Sequence, residues 1–291
     1  MTTSSRLHRP AGTTAADGYD VLITQDSAGW RHSSLRVMSL AAGESRDVDT
    51  GPEELFVVPL AGAADVRLES RTIRLRGRAN VFAGPTDFAY VPTGSVIAIS
   101  SALGGRFALA GARTDQRREF RRGSGEDVPV ELRGAGRCSR LVRNFGTVEA
   151  FEAGALIACE VITPGGNWSS YPAHKHDEAG PSESVLEEIY YYEIAAGPDG
   201  QPGFGFHRTS PSPAGDVDVL VEVRDRDTVL VPSGWHGPCM AAPGFDMYYL
   251  NVMAGPGAER AWLISDHPDQ TWVRATWEAQ EVDPRLCVPR G

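Results

Sequence analysis

Two short segments of this chain recur later in the same order. Glu53–Val58, "EELFVV", matches Glu187–Tyr192, "EEIYYY", and Tyr90–Gly94, "YVPTG", matches Leu230–Gly234, "LVPSG". In this register Glu54 meets Glu188, 134 positions on, and Pro92 meets Pro232, 140 positions on. The extra length of the second interval fits the Gly/Pro-rich stretches "GPDGQPGFGF" and "SPSPAGD" of the second copy. Such self-similarity predicts two similar modules, because each copy carries the same succession of elements. They are read as residues 20–125 and 135–270, with the boundary near the polar stretch 113–134, "RTDQRREFRRGSGEDVPVELRG".

The repeated segments read as strands. "LFVVPL", "VIAIS", "ALIACEVI", "EIYYYEI", "VLVEV", "TVLVP" and "MYYLNV" are β-branched and aromatic, and Gly, Pro, Asp or Ser separates them. No long window keeps a 3.6-residue apolar period. The chain is therefore expected to be all-β, a sandwich or barrel. Its 41% hydrophobic content is enough to fill a core.

Charge and cysteines narrow the function. Twenty-eight basic against 38 acidic residues give a formal charge of −10, which excludes a nucleic-acid face that must neutralise phosphates. Any anionic substrate then needs a local cation. The four cysteines, Cys138, Cys159, Cys239 and Cys287, form no CxxC and no zinc-knuckle spacing, and are expected to stay reduced in a cytoplasm. The sequence "MTTSSRLHRPAGTTAADGYD" lacks a signal-peptide core, and no run approaches 18 apolar residues, so no membrane partner is expected.

The two copies differ in their imidazoles. The second carries "HKH" at His174–His176, then "EEIYYY", then "VPSGWH" ending at His236. In the first copy Val96 aligns with His236, and the nearest upstream histidine is His32. His174 and His176 are i and i+2, so on a strand both leave the same face. Two histidines from one strand, a carboxylate from another and a third histidine from a later one can converge inside a small barrel. Three imidazoles and a carboxylate suit Zn²⁺, Mn²⁺ or Fe²⁺. Glu188 shares parity with Tyr190 and Tyr192, and Glu187 with Ile189 and Tyr191; parity alone leaves open which set faces inward. His32 and His207 read as structural, and the tyrosines are more often core than catalytic.

At these residues the sequence resembles a cupin: HxH, then Glu, then a PxG turn followed by His. The duplication makes it similar to a bicupin, two tandem jelly-roll-like β-barrels. More closely, "GNWSSYPAHKHD", "LEEIYYYEI", "VLVPSGWHGPCMAAPGFDMYYLNVMAGP" and "RAWLI" resemble the 5-deoxy-glucuronate isomerases of bacterial myo-inositol catabolism, relatives of the 4-deoxy-5-ketouronate isomerases. The likeness is dense from Asn167 to Ile264 and weaker but collinear before that. It implies an aldose–ketose isomerase that converts 5-deoxy-D-glucuronate to 5-dehydro-2-deoxy-D-gluconate. It also implies a divalent metal, foremost zinc, held by His174, His176, Glu188 and His236 in the C-terminal module and none in the first. In the ketouronate isomerases the ligand glutamate precedes a V-Y-aromatic strand, a pattern that falls here on Glu188.

Such a reaction needs an acid–base group, and Glu187, Tyr190, Tyr192 and Lys175 are the candidates near the ligands. The far carboxylate of the substrate needs a cation, for which Arg208, Lys175 and Arg260 are the candidates. Proton transfer through an enediolate is expected rather than a hydride shift. A homo-oligomer is expected, its subunit number left open. Two other classes fit the same ligands: an O₂-dependent cupin dioxygenase and a non-catalytic sugar-acid binder. Metal identity and O₂ dependence separate the first from an isomerase, and turnover separates either enzyme from a binder.

Overall fold

The structure, a computed structural model, describes residues 6–286, so Cys287 lies outside the described residues. All named strand pairs are antiparallel, and the two halves build the same sheet from corresponding strands. In the N-terminal half the order is Arg121–Gly123, Phe88–Val91, Glu53–Leu68, Gly105–Arg113, Ser33–Leu40, Val21–Ile23. In the C-terminal half it is His8–Arg9, Thr228–Val231, Glu187–Ile194, Met247–Ala254, Ile157–Thr163, Arg140–Gly146, with Val130–Arg133 added at the far edge. The fold is all-β, as the segmental pattern predicts.

The first strand of the C-terminal sheet comes from ahead of both repeats. His8–Arg9 pairs with Thr228–Val229, and His8 Nε2 lies 2.8 Å from Asp227 Oδ2. Polar residues 113–134 are no free linker either, since Arg121–Gly123 closes one sheet and Val130–Arg133 the other.

A second sheet faces the first in the C-terminal half. It runs Val219–Arg224, Phe204–Ser210, Trp235–Ala241, His174–Lys175, Ser265–Asp266, with Trp168–Ser169 also on Trp235–Ala241. Between the two sheets lies a core of Tyr190, Tyr192 and Tyr249 from one side and Val223, Cys239 and Ala241 from the other. The N-terminal half has its own core, including Leu55, Val57, Ile97 and Phe107. A third core, with Phe56, Tyr90, Ile189, Tyr191 and Leu250, fills the space between the halves. Two arginines cross that interface: Arg78 to Glu160, which also holds Arg143 of its own half, and Arg106 to Glu193.

Each central strand is thus buried on both faces, one toward its own half and one toward the other. Such strands read as continuous apolar runs without a period of two. The register drawn from sequence suffers accordingly. Leu55 pairs with Val91 as Glu188 pairs with Val231, so Leu55, not Glu54, is the counterpart of Glu188. A slip of one residue exchanges the two faces of a strand. Val96 is likewise no inward counterpart of His236: it is 60% exposed, while Ile97 and Ile99 enter the N-terminal core.

Candidate metal centre

His174, His176, Glu188 and His236 meet at one end of the C-terminal barrel. His174 and His236 are cross-strand partners, and Glu188 reaches them from the opposing sheet. The His174 and His236 ring centroids are 4.4 Å apart, those of His176 and His236 4.6 Å. His176 Nε2 and His236 Nε2 lie 3.1 and 3.2 Å from the same oxygen, Glu188 Oε2. The donor atoms of His176, Glu188 and His236 all fall within 4.8 Å of one another.

Backbone carbonyls orient the rings. His176 Nδ1 lies 3.1 Å from Leu186 O and His236 Nδ1 lies 3.0 Å from Gly234 O. His174 has its hydrogen bond with the Pro172 backbone. When Nδ1 donates outward, the Nε2 lone pair is left facing the cluster, the arrangement a first-row metal requires. His236 Nε2 is buried and has no hydrogen-bond partner of good geometry despite its nearness to Glu188. This orphan acceptor, between two more imidazoles and one carboxylate, fits a divalent cation.

Electrostatics point the same way. Burial, then the neighbouring His176, pushes His174 down to about 3. Burial, then His174 and His176, holds His236 well below the usual histidine range. Burial lowers His176 as well, but its hydrogen bond to Glu188 and that carboxylate's charge outweigh this and raise it. At neutral pH at least two imidazoles are therefore neutral and able to ligate.

The approach of the strands depends on Gly237. At φ +105° its place is one that side chains rarely adopt, and a Cβ there would sit 1.7 Å from Ser170 O. Ser170 in turn holds φ +47°. Its Oγ lies 3.3 Å from Tyr190 Oη and 3.2 Å from Tyr249 Oη. The Tyr190 ring is 6.3 Å from that of His236, and burial, then the Glu188 charge, raises its hydroxyl well above the ordinary range. Tyr192 points along the same interior, its Oη 2.6 Å from Nδ1 of the buried His207.

Four residues singled out in the sequence are placed elsewhere. Glu187 faces the other half and accepts the backbone N–H groups of Arg31, His32 and Ser33, at 2.8, 2.8 and 3.0 Å. Opposite parity to Glu188 sends it there. Lys175 alternates away from its flanking histidines and is enclosed by Asp177, Glu178 and Glu183. Arg208 has outward parity, because His207 and Thr209 are buried on either side; it pairs with Asp218 and with the backbone carbonyls of Thr209 and Val219. Arg260 spends its donors on the carbonyls of Gly146, Phe151 and Leu156. Sequence reasoning did not single out Ser170, which holds Tyr190 and Tyr249, or the buried Arg140. Arg140 shares a strand face with the core residue Val142, the only local signal of an inward arginine.

Comparison with known proteins agrees with this architecture. The sequence profile of the KduI/IolB family matches residues 7–273. A 5-deoxy-glucuronate isomerase of Geobacillus kaustophilus is 37% identical over 273 residues, 92% of this chain and 95% of the relative. An IolB-like protein from Salmonella typhimurium superposes with a TM-score of 0.84 at 32% identity, over 92% of this chain and 98% of that one. An oxalate decarboxylase from Lactobacillus farciminis superposes with a TM-score of 0.59 at 13% identity, over 89% and 88% of the two chains, a likeness of fold alone. The fold is thus a bicupin. Among the described residues no helix is long and apolar enough to cross a membrane.

Proposed function

Because the chain belongs to the KduI/IolB family, we propose that this isomerase converts 5-deoxy-D-glucuronate to 5-dehydro-2-deoxy-D-gluconate in myo-inositol catabolism. A divalent metal, foremost zinc, is held by His174, His176, Glu188 and His236, and the N-terminal half holds none. The observation that carries this reading is the convergence of two imidazole Nε2 atoms on Glu188 Oε2 beside the His174 ring, in a chain 37% identical to a 5-deoxy-glucuronate isomerase.

When bound, such a metal supplies Lewis-acid stabilisation of the negative charge that develops on the C1 and C2 oxygens. The protein's own groups do the rest. Three backbone carbonyls fix the imidazoles, so no reorganisation is needed as charge develops. Tyr190, kept protonated by burial, holds its ring 6.3 Å from that of His236 and its hydroxyl on Ser170 Oγ. Ser170 links that hydroxyl to Tyr249, which gives a proton a path of three oxygens along the wall. Tyr190, Tyr192 and Tyr249 belong to one buried core on the inner side of the sheet that carries Glu188. Glu187 and Lys175 are committed to other partners and do not serve as the base.

The test is metal analysis of the purified protein together with an isomerase assay on 5-deoxy-D-glucuronate. One divalent ion per chain and ketose formation without O₂ are expected. A protein that holds no divalent metal, or that leaves the sugar acid unchanged, defeats the reading. Consumption of O₂ during turnover points to an oxygenase instead.

A further inference from the structure

A sugar acid brings a carboxylate into a chain whose formal charge is −10, so the barrel must offer a cation of its own. Arg140 begins the Arg140–Gly146 strand on the inward face shared with Val142, and is only 5% exposed. Its Nη1 donates to Cys138 O at 3.0 Å and to Tyr171 O at 3.4 Å, and its Cζ lies 5.3 Å from the Trp277 ring centroid. Nε and Nη2 have no hydrogen-bond partner among the described residues. Tyr171 stands three residues before His174, and the Arg140 charge is felt at both His174 and Tyr249. Arg140 and His174 thus bond to successive backbone carbonyls, those of Tyr171 and Pro172, which ties the guanidinium to the segment that carries the histidine pair.

Two other arginines act on the same groups, and both are already neutralised. Arg133 makes a two-pronged contact with Glu131, at 2.9 and 2.7 Å, and Arg274 does the same with Asp266. Among the described residues no carboxylate forms an ion pair with Arg140; Glu131, which feels its charge, is already held by Arg133. Burial lowers it to about 10, which leaves it charged at neutral pH. A buried charge without a counter-ion is poorly tolerated in a folded protein unless something else supplies the opposite charge. We propose that Arg140 receives the substrate carboxylate, its free Nε and Nη2 forming the fork that matches two carboxylate oxygens. The assignment rests on the sugar-acid isomerase reading and deepens it.

The test uses the metal-loaded full chain and the variants Arg140→Lys and Arg140→Met. Binding of D-glucuronate, a carboxylate probe, and of D-glucose, its neutral counterpart, is followed by calorimetry, and metal content is measured alongside. Arg140→Met is expected to weaken D-glucuronate binding by about 30-fold or more and to leave D-glucose binding and metal content unchanged. Arg140→Lys keeps a point charge without the fork, so a loss of about tenfold is expected. For turnover, KM should rise more than kcat falls, because an anchor contributes equally to ground and transition states. Should the methionine variant fail to fold, the lysine variant carries the test. A folded, metal-loaded Arg140→Lys that binds D-glucuronate as the unaltered protein does overturns the assignment alone. An unaltered protein that neither binds D-glucuronate nor isomerises the deoxy sugar acid overturns the isomerase reading as well.

Discussion

Glu54 and Glu187 occupy equivalent positions in the two halves, and each accepts three backbone N–H groups from the other half. Glu54 takes those of Gly154, Ala155 and Leu156 at 2.6–2.7 Å; Glu187 takes those of Arg31, His32 and Ser33 at 2.8–3.0 Å. The adjacent Glu188 does something different, since it faces the histidines.

Glutamine substitutions at these neighbours should separate the two roles. Glu188→Gln removes the only carboxylate of the cluster and should strip most of the metal. Glu187→Gln exchanges charge-assisted hydrogen bonds for weaker ones, so about 1–3 kcal/mol of stability should be lost at full metal content. Metal analysis and denaturant melts check both. Equal metal loss in the two variants would place Glu187 in the centre after all.

Metal stoichiometry should be one per chain. Leu55 stands in the N-terminal half where Glu188 stands in the other, within a core of aliphatic and aromatic side chains. His236→Ala should abolish tight binding, because it deletes the Nε2 that has no other use. Two ions per chain, or a His236→Ala protein with full metal content, would contradict this.

Acid should destabilise the metal-stripped protein. The folded state keeps His174 and His236 neutral, whereas an unfolded chain protonates both near pH 6.5. Below that pH the unfolded state binds more protons, and stability falls as pH drops toward about 3. His176, whose folded value is raised, works in the opposite direction: its contribution is complete below the unfolded value and fades as pH rises through the folded one. Two depressed histidines outweigh one raised one, so Tm should fall by several degrees between pH 7.5 and pH 5. His174→Gln combined with His236→Gln should flatten the profile. An apo Tm that holds or rises toward pH 5 would show these imidazoles to be protonated in the fold.

Isomerisation in D₂O should place solvent deuterium at C1 of the product. Proton transfer through an enediolate passes through a group that exchanges, and the chain of Tyr190, Ser170 and Tyr249 hydroxyls offers such groups. Full retention of the substrate's C2 hydrogen would favour a hydride shift. Tyr190→Phe should lower kcat by about 10²-fold with metal content unchanged, if its hydroxyl is the donor.

Sequence alone carried the all-β class and the histidine grouping, because i and i+2 on a strand share a face whatever the register. The choice between Glu187 and Glu188 was beyond it: Ile189, Tyr190, Tyr191 and Tyr192 are all buried, so alternation leaves no trace in polarity. Arg208 misled for a related reason. An arginine on a strand near the site faces it or not by parity, and His207 and Thr209 hold the inward places. Arg140 had only its parity with Val142 to mark it locally, because two of its partners, Tyr171 and Trp277, come from far along the chain.

The pairing of His8–Arg9 with Thr228–Val229 has a consequence for synthesis. His8 and Asp227 are 219 positions apart, so the His8–Arg9 segment must wait for its sheet until the Thr228–Val231 strand has been made. Until then the Thr228–Val231 strand, once made, has a bare flank able to recruit another molecule's strand. Folding in the order of translation can complete the N-terminal half first. The C-terminal half closes last, and it does so with a segment that precedes both halves in the sequence.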